Sequence, residues 1–198
     1  HLILMTQSID VSLYDRQIRT YGEEATKKIT SSSVIITGLE LGLGTEICKN
    51  LVLGGVKNLY LQDNSSVDNG DIEYGIYYKE TDLGSIRTKV LARELAHLNP
   101  YTKIIELNGM GLEEVSEDIL TNVTLVIVNK SFVEAIRLNQ LVRRFNGKTV
   151  FVCSKGFSGM IFVDVGPEHT VLDTTGENIE PVQLSNISST GVVTCANN

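Results

Sequence analysis

Three glycines, Gly38, Gly42 and Gly44, follow the apolar run Val34-Ile35-Ile36 and lead into Thr45 and a stretch of helical apolar spacing. The run reads as a short strand buried on both faces. Glycines behind it let a backbone approach a ligand closely. A helix opening at Thr45 would offer a phosphate its free N–H groups and the positive end of its dipole. Asp63 lies 19 residues beyond Gly44, at the end of a second apolar run, Asn58–Gln62. In a nucleotide-binding βαβ unit that position hydrogen-bonds ribose hydroxyls. Gln62-Asp63-Asn64-Ser65 is also turn-rich, so Asp63 reads equally as a turn residue. The glycine spacing is G-x-x-x-G-x-G rather than G-x-G-x-x-G, and Glu40 intrudes into the loop. Facing a phosphate at ~4 Å, Glu40 would repel it by roughly 4 kcal/mol at an effective dielectric of 20. A helix N-terminus typically returns only roughly 0.3–1 kcal/mol.

Other chemistry is thinner. Cys48, Cys153 and Cys195 are odd in number and form no C-x-x-C pair, which suits a reducing compartment and predicts no zinc site. Cys48 and Cys153 fall mid-helix and mid-strand, as small apolar residues do. Cys195 has no histidine near it in sequence to activate it as a nucleophile. Ser158 in GFSGM lacks the final spacing of a nucleophile elbow and precedes a strand, so it reads as a turn residue. His97 and His169 have no partners at metal-ligand spacing.

The elements that would position these residues alternate. A helix is expected from a Ser12 cap through Tyr14, Ile18, Tyr21, Ala25 and Ile29, weakened at Gly22. Strands follow at Val34–Thr37, Asn58–Gln62, Lys103–Leu107, Thr124–Asn129, Thr149–Cys153 and Met160–Val165. Between them the spacing predicts helices at about 45–53, 85–98, 112–120 and 132–146, the last with Val133, Ile136, Leu141 and Val142 inward. Residues 64–84 read as a long loop or short helical turns. Alternation of this kind predicts an α/β, Rossmann-like fold: a mainly parallel sheet with helices on both faces. After Gly166 the pattern changes to short strands and turn residues, the start of a small β-rich unit.

A chain of 198 residues accommodates one full domain and a fragment of another. Its net charge of −7 argues against general binding to nucleic acid or anionic membranes. No stretch is long enough to span a membrane. The opening HLILMTQ is too short for a signal peptide, with His1 read as a tag remnant before Met5.

Several segments together carry a resemblance. YDRQIRTYG (Tyr14–Gly22), GLGTEICKNLVLGGVKNLYLQD (Gly42–Asp63), TDLG with Arg87, and LNP (Leu98–Pro100) occur in order. They resemble the adenylation fold shared by enzymes that activate ubiquitin-like proteins and by bacterial sulfur-carrier relatives, over most of residues 14–165. The tail, FVDVGPEHTVLDTTGE…P…TGVVTC, is similar to the passage in ubiquitin-activating enzymes from the first adenylation half into the first catalytic-cysteine half-domain. The resemblance implies an N-terminal fragment, with residues 1–174 an adenylation half and 175–198 the beginning of that half-domain.

Active halves of that family match a motif resembling D-x-D…N-x-x-R-Q…K, which handles magnesium, ribose and phosphates. Here Asp63 supplies the first acid, but Ser65 stands at the second. Glu73-Tyr74-Gly75 replaces the Arg-Gln step, Arg87 the lysine, and Asn129-Lys130-Ser131 the magnesium aspartate after the fourth strand. The resemblance therefore implies an inactive half, with Gly38, Gly42, Gly44 and Asp63 a vestigial nucleotide site and no ATP or magnesium bound. Arg16 matches the arginine that such halves lend to the ATP of the active half, where a guanidinium offsets phosphate charge. A local pair with Asp15 or Glu23 is the alternative for Arg16, and Arg19 reads as a surface salt-bridge residue.

The implied parent enzyme is an ATP- and magnesium-dependent ligase that adenylates the ubiquitin C-terminus and passes it to a cysteine beyond this fragment. Its implied partners are the active half, ubiquitin and ubiquitin-conjugating enzymes, in cytoplasm and nucleus. Rival readings are the small subunit of the SUMO-activating enzyme, a dinucleotide-dependent oxidoreductase, and a pure interaction module.

Overall fold

In the computed structural model, residues 10–171, 182–190 and 193–197 are described. Helix α1 (Val11–Tyr21) starts two residues earlier than its sequence suggested. Asp10, not Ser12, is the cap, because its carboxylate accepts from the N–H groups of Ser12 and Leu13 at 3.0 and 3.1 Å. The Leu13 N–H, the Tyr101 hydroxyl and the Ser12 N–H hold the Asp10 carboxyl below the usual range. Gly22, at φ 84°, separates α1 from α2 (Glu23–Ser31).

The body then runs β1 (Ser33–Thr37), α3 (Leu43–Gly54), β2 (Asn58–Gln62), α4 (Asn69–Tyr74), α5 (Arg87–Leu95), β3 (Lys103–Glu106), α6 (Glu117–Leu120), β4 (Thr124–Val128), α7 (Phe132–Arg143), β5 (Lys148–Lys155) and β6 (Ser158–Asp164). The sheet order is β3-β2-β1-β4-β5-β6, parallel except for the antiparallel β5–β6 pair. From β1 the chain builds outward through β2 and β3, then returns to add β4 on the other side. The crevice at the tips of β1 and β4 is therefore the topological switch point, where ligands of such sheets bind.

Two apolar layers cover the sheet. Ile36, Leu59, Leu61 and Val126 pack with Cys48, Val52, Leu91 and Leu95 of α3 and α5. On the other face Ile35, Leu125, Ile127 and Phe151 pack with Ala135, Leu138 and Val142 of α7. Val133 and Ile136, expected inward, are exposed. The sheet sets the phase of α7 through Ala135, Leu138 and Val142, which share one stripe. The helix expected over 112–120 is instead a 3₁₀ turn at Leu112–Glu114 and α6, separated by extended backbone at Val115 and Ser116. Residues 64–84 contain α4 and a 3₁₀ turn at Glu80–Asp82. Ser158 opens β6 rather than lying in a turn. Among the described residues no helix is long and apolar enough to cross a membrane.

Helix α1 is docked on the C-terminal end of α3. The Tyr14 ring occupies the space a side chain at Gly55 would need, and the Gln17 amide donates to the Gly54 carbonyl at 3.2 Å. Beneath them the buried Asn99 amide donates to the Tyr14 hydroxyl and to the Val52 carbonyl, each at 2.9 Å. Asn99 ties three segments together. Asn99→Ala is expected to lower stability by about 1–3 kcal/mol, since it strips buried groups of their partner; denaturant unfolding measures it.

The chain divides into two compact units, His1–Glu168 and His169–Asn198. In the second, β7 (Val182–Ile187) and β8 (Val193–Asn197) form an antiparallel pair with a register shift between Leu184 and Asn186. The segment 172–181 and the side chain of Cys195 lie outside the described residues, as do His1 and Met5.

Candidate functional site

At the switch point the glycine loop leaves β1 and enters α3. Gly38 adopts φ 92° and lies so close to β4 that a Cβ would run into the Val128 carbonyl. A Cβ on Gly44 would run into the Gly38 carbonyl, and one on Gly42 (φ 85°) would lie 2.6 Å from the Tyr74 carbonyl. All three glycines are required by backbone packed on backbone. The third contact places the end of α4 directly over the loop.

The chain's own carboxylates occupy the loop's donors. Asp63 is buried at the tip of β2; its Oδ2 accepts from the Leu39 N–H at 3.2 Å and its Oδ1 from the Ser65 N–H at 2.8 Å. Asp71, fully buried on α4, accepts from the Leu41 N–H at 3.2 Å through Oδ1. Arg87 enters the same space from α5. Its guanidinium lies 2.6 Å from Asp71, 3.2 Å from Asp68 and 3.7 Å from Asp63. Burial works against the Arg87 charge, yet the hydrogen bond to Asp71 and the fields of Asp71, Asp63 and Asp68 outweigh it and raise its pKa. The Tyr78 hydroxyl donates to the Leu39 carbonyl at 3.3 Å. Burial, followed by the Asp71 carboxylate, pushes the Tyr78 phenol upward.

Asp68 and Asp71 also cap each other's backbone: Asp71 N–H donates to Asp68 Oδ1 at 3.0 Å, and Asp68 N–H to Asp71 Oδ2 at 3.1 Å. Sequence reading passed over Asp68, Asp71 and Tyr78. The spacing Asp68-Asn69-Gly70-Asp71, an acid three residues after an N-cap acid, was the available signal for the start of α4.

Three other positions flagged in the sequence serve the scaffold. Glu40 turns to Lys130 just beyond β4, at 4.0 Å, so its charge is partly offset. Asn129, at φ 52°, accepts from the Ser154 N–H at 2.8 Å and ties β4 to β5. Ser65 contributes a backbone donor to Asp63. Among the described residues no group of three His, Cys, Asp or Glu could hold a metal ion. The acid for ribose has both oxygens engaged, two loop N–H groups are taken, and a guanidinium fills the space between the carboxylates.

Arg16 is elsewhere. It sits on α1, and α1 docks on the end of α3 that is roughly 18 Å of helix axis away from the loop. The side chain is exposed, and among the described residues its guanidinium makes no ion pair or hydrogen bond. The local partners considered for it are taken: Asp15 pairs with Arg19 at 3.0 Å, and Glu23 with Lys27 at 2.5 Å. Arg19 is thus the surface salt-bridge residue expected. Burial pushes the Cys48 thiol well up, so Cys48 is an inert core residue.

Comparison with known proteins bears on the family and the fold. The family model described as "ThiF family" matches residues 14–196. Ubiquitin-like modifier-activating enzyme 1 of Mus musculus is 36% identical over 190 residues, covering 94% of this chain and 18% of that protein. Ubiquitin-activating enzyme E1 1 of Candida albicans is 36% identical, covering 95% and 18%. E1 2 of Arabidopsis thaliana is 32% identical, covering 96% and 18%. The chain thus spans less than one fifth of the length of these relatives. Among solved structures, E. coli MccB superimposes with a TM-score of 0.68 at 21% identity, over 81% of this chain and 47% of that one, which shows the shared fold. With the match running nearly end to end and the strand–loop–helix architecture in place, the chain belongs to the ThiF family.

Proposed function

We propose that this chain is the N-terminal, inactive adenylation half of a ubiquitin-activating enzyme, working as a scaffold and lending Arg16 to ATP held by a second, active half. The observation that carries the reading is the self-occupied cradle: Arg87, Asp63 and Asp71 satisfy one another and the loop where a nucleotide would have to bind. A half without a working site contributes to the reaction through what it presents outward. Arg16, exposed and uncommitted on a well-anchored helix, suits that role.

In this reading the parent protein is an ATP-dependent ligase. It adenylates the ubiquitin C-terminus with ATP and magnesium in its other half and transfers it to a cysteine outside this fragment. Residues 175–198 begin the first catalytic-cysteine half-domain. Ubiquitin and ubiquitin-conjugating enzymes are the partners, in cytoplasm and nucleus.

Isothermal titration of the 198-residue chain is expected to show no binding of ATP with magnesium, or of NAD, at millimolar ligand. Tight NAD binding would revive a dinucleotide-dependent oxidoreductase instead. Ubiquitin-dependent pyrophosphate–ATP exchange by this chain alone would overturn the inactive reading.

A further inference from the structure

Helix α1 is held along one stripe, and Arg16 projects from the opposite side. Asp10, Tyr14 and Gln17 stand four and three positions apart, the spacing that puts residues on a single helix face. Each has its own partner on the body of the fold. The Tyr101 hydroxyl donates to Asp10 Oδ2 at 2.8 Å, the Asn99 amide to the Tyr14 hydroxyl at 2.9 Å, and the Gln17 amide to the Gly54 carbonyl at 3.2 Å. Arg16 lies about 160° round the helix from Tyr14.

Apolar packing does little to set this helix. Among the described residues Tyr14 is the one buried side chain of α1, while Val11, Leu13 and Tyr21 are exposed. Gly22, at φ 84°, ends the helix, so α2 does not prolong it. Tilt and rotation of α1 are therefore fixed by the Tyr14 ring on Gly55 and by the three polar contacts. Two of those contacts come from one short segment. Within Asn99-Pro100-Tyr101 the proline locks its own φ, and the Tyr101 N–H donates to Asn99 Oδ1 at 3.0 Å. The clamp is stiff.

We propose that Asp10, Tyr14 and Gln17, with the Asn99-Pro100-Tyr101 clamp, are positioning residues that hold Arg16 in register for the phosphates of a second half. This rests on the reading that Arg16 serves ATP bound elsewhere in the enzyme. The lever is long enough to matter. At about 6 Å from the helix axis, a rotation of about 10° moves a guanidinium by about 1 Å. A misplacement of that size costs up to about 10²-fold in rate, because the gain from positioning depends on near-attack geometry. Gln17 is next to Arg16 in sequence, so its hold on the Gly54 carbonyl bears most directly on where the guanidinium points.

Steady-state pyrophosphate–ATP exchange by the complete enzyme tests this with Gln17→Ala/Tyr101→Phe, which removes two contacts and leaves the Tyr14 ring and the Asp10 cap in place. Turnover is expected to fall by about 10-fold, with the KM for ubiquitin unchanged. In an Arg16→Ala background the same two changes should alter turnover by less than about twofold, since the group they position is gone. Tyr14→Phe, which keeps the ring but removes the hydroxyl that Asn99 holds, should show the same dependence on Arg16. The 198-residue chain carrying Gln17→Ala/Tyr101→Phe should melt within ~4 °C of the unsubstituted chain, so the enzyme stays folded in the assay. A loss of turnover that repeats in the Arg16→Ala background would reflect a weakened fold rather than positioning, and overturns the proposal. Full turnover in Gln17→Ala/Tyr101→Phe overturns it too, while a loss in Arg16→Ala would still leave the reading of Arg16 standing. If Arg16→Ala itself leaves exchange unchanged, that reading fails and the proposal fails with it.

Discussion

Arg16→Ala in the complete enzyme is expected to lower ubiquitin-dependent pyrophosphate–ATP exchange by roughly 10²–10³-fold, the usual cost of removing one group aimed at developing charge. Arg16→Lys should recover only part of that rate, because an ammonium lacks the planar fork that meets two phosphate oxygens at once. The same substitutions in the 198-residue chain should barely move its melting temperature, since the Arg16 guanidinium has no partner to lose among the described residues. That contrast separates an arginine acting on another site from one that holds its own fold together. Unchanged exchange in the alanine variant would leave the chain a scaffold only.

Arg87→Met should be the most damaging single change to the fold. It leaves Asp71 fully buried and Asp63 nearly so, without the cation between them. Breaking a buried pair in this way costs about 3–5 kcal/mol. For a chain of this size that lowers the melting temperature by roughly 6–20 °C. The double variant Arg87→Met/Asp71→Leu should regain part of the loss, because it removes the unpaired charge of Asp71, while Asp63 stays without its cation and the N–H groups of Leu41 and Asp68 without that acceptor. A thermal double-mutant cycle measures the coupling. If Arg87→Met melts like an ordinary surface variant, water rather than the guanidinium compensates Asp71, and the closed-cradle account fails.

Local patterns made much of the fold legible. Asn58–Gln62 is the second strand with the bounds its apolar run suggested, and a helix follows the glycine loop, closed by Gly55 in a left-handed conformation. Misreadings came where a local signal competed with a distant one. Ser12 resembled a cap, but Asp10 also reaches Tyr101, 91 positions along the chain. Val133 and Ile136 sit at helical spacing, but the sheet beneath α7 chose a different stripe. The site divided in the same way. The glycines, Glu40 and Asp63 are visible as a contiguous pattern, whereas the closure of the cradle depends on Asp71 meeting Arg87, 16 positions further along the chain. Periodicity carries no information about such a contact.

The glycine loop also bears on ancestry. Its glycines are held by collisions with the Val128, Gly38 and Tyr74 carbonyls, none of which involves a nucleotide. Whether or not a chain of this fold uses ATP at this loop, Gly38, Gly42 and Gly44 are held by the backbone around them, which the side chains that would handle phosphate and metal are not. Selection for a foldable backbone alone preserves them. The glycines therefore report the fold, and their presence in a relative is no measure of whether that relative binds a nucleotide.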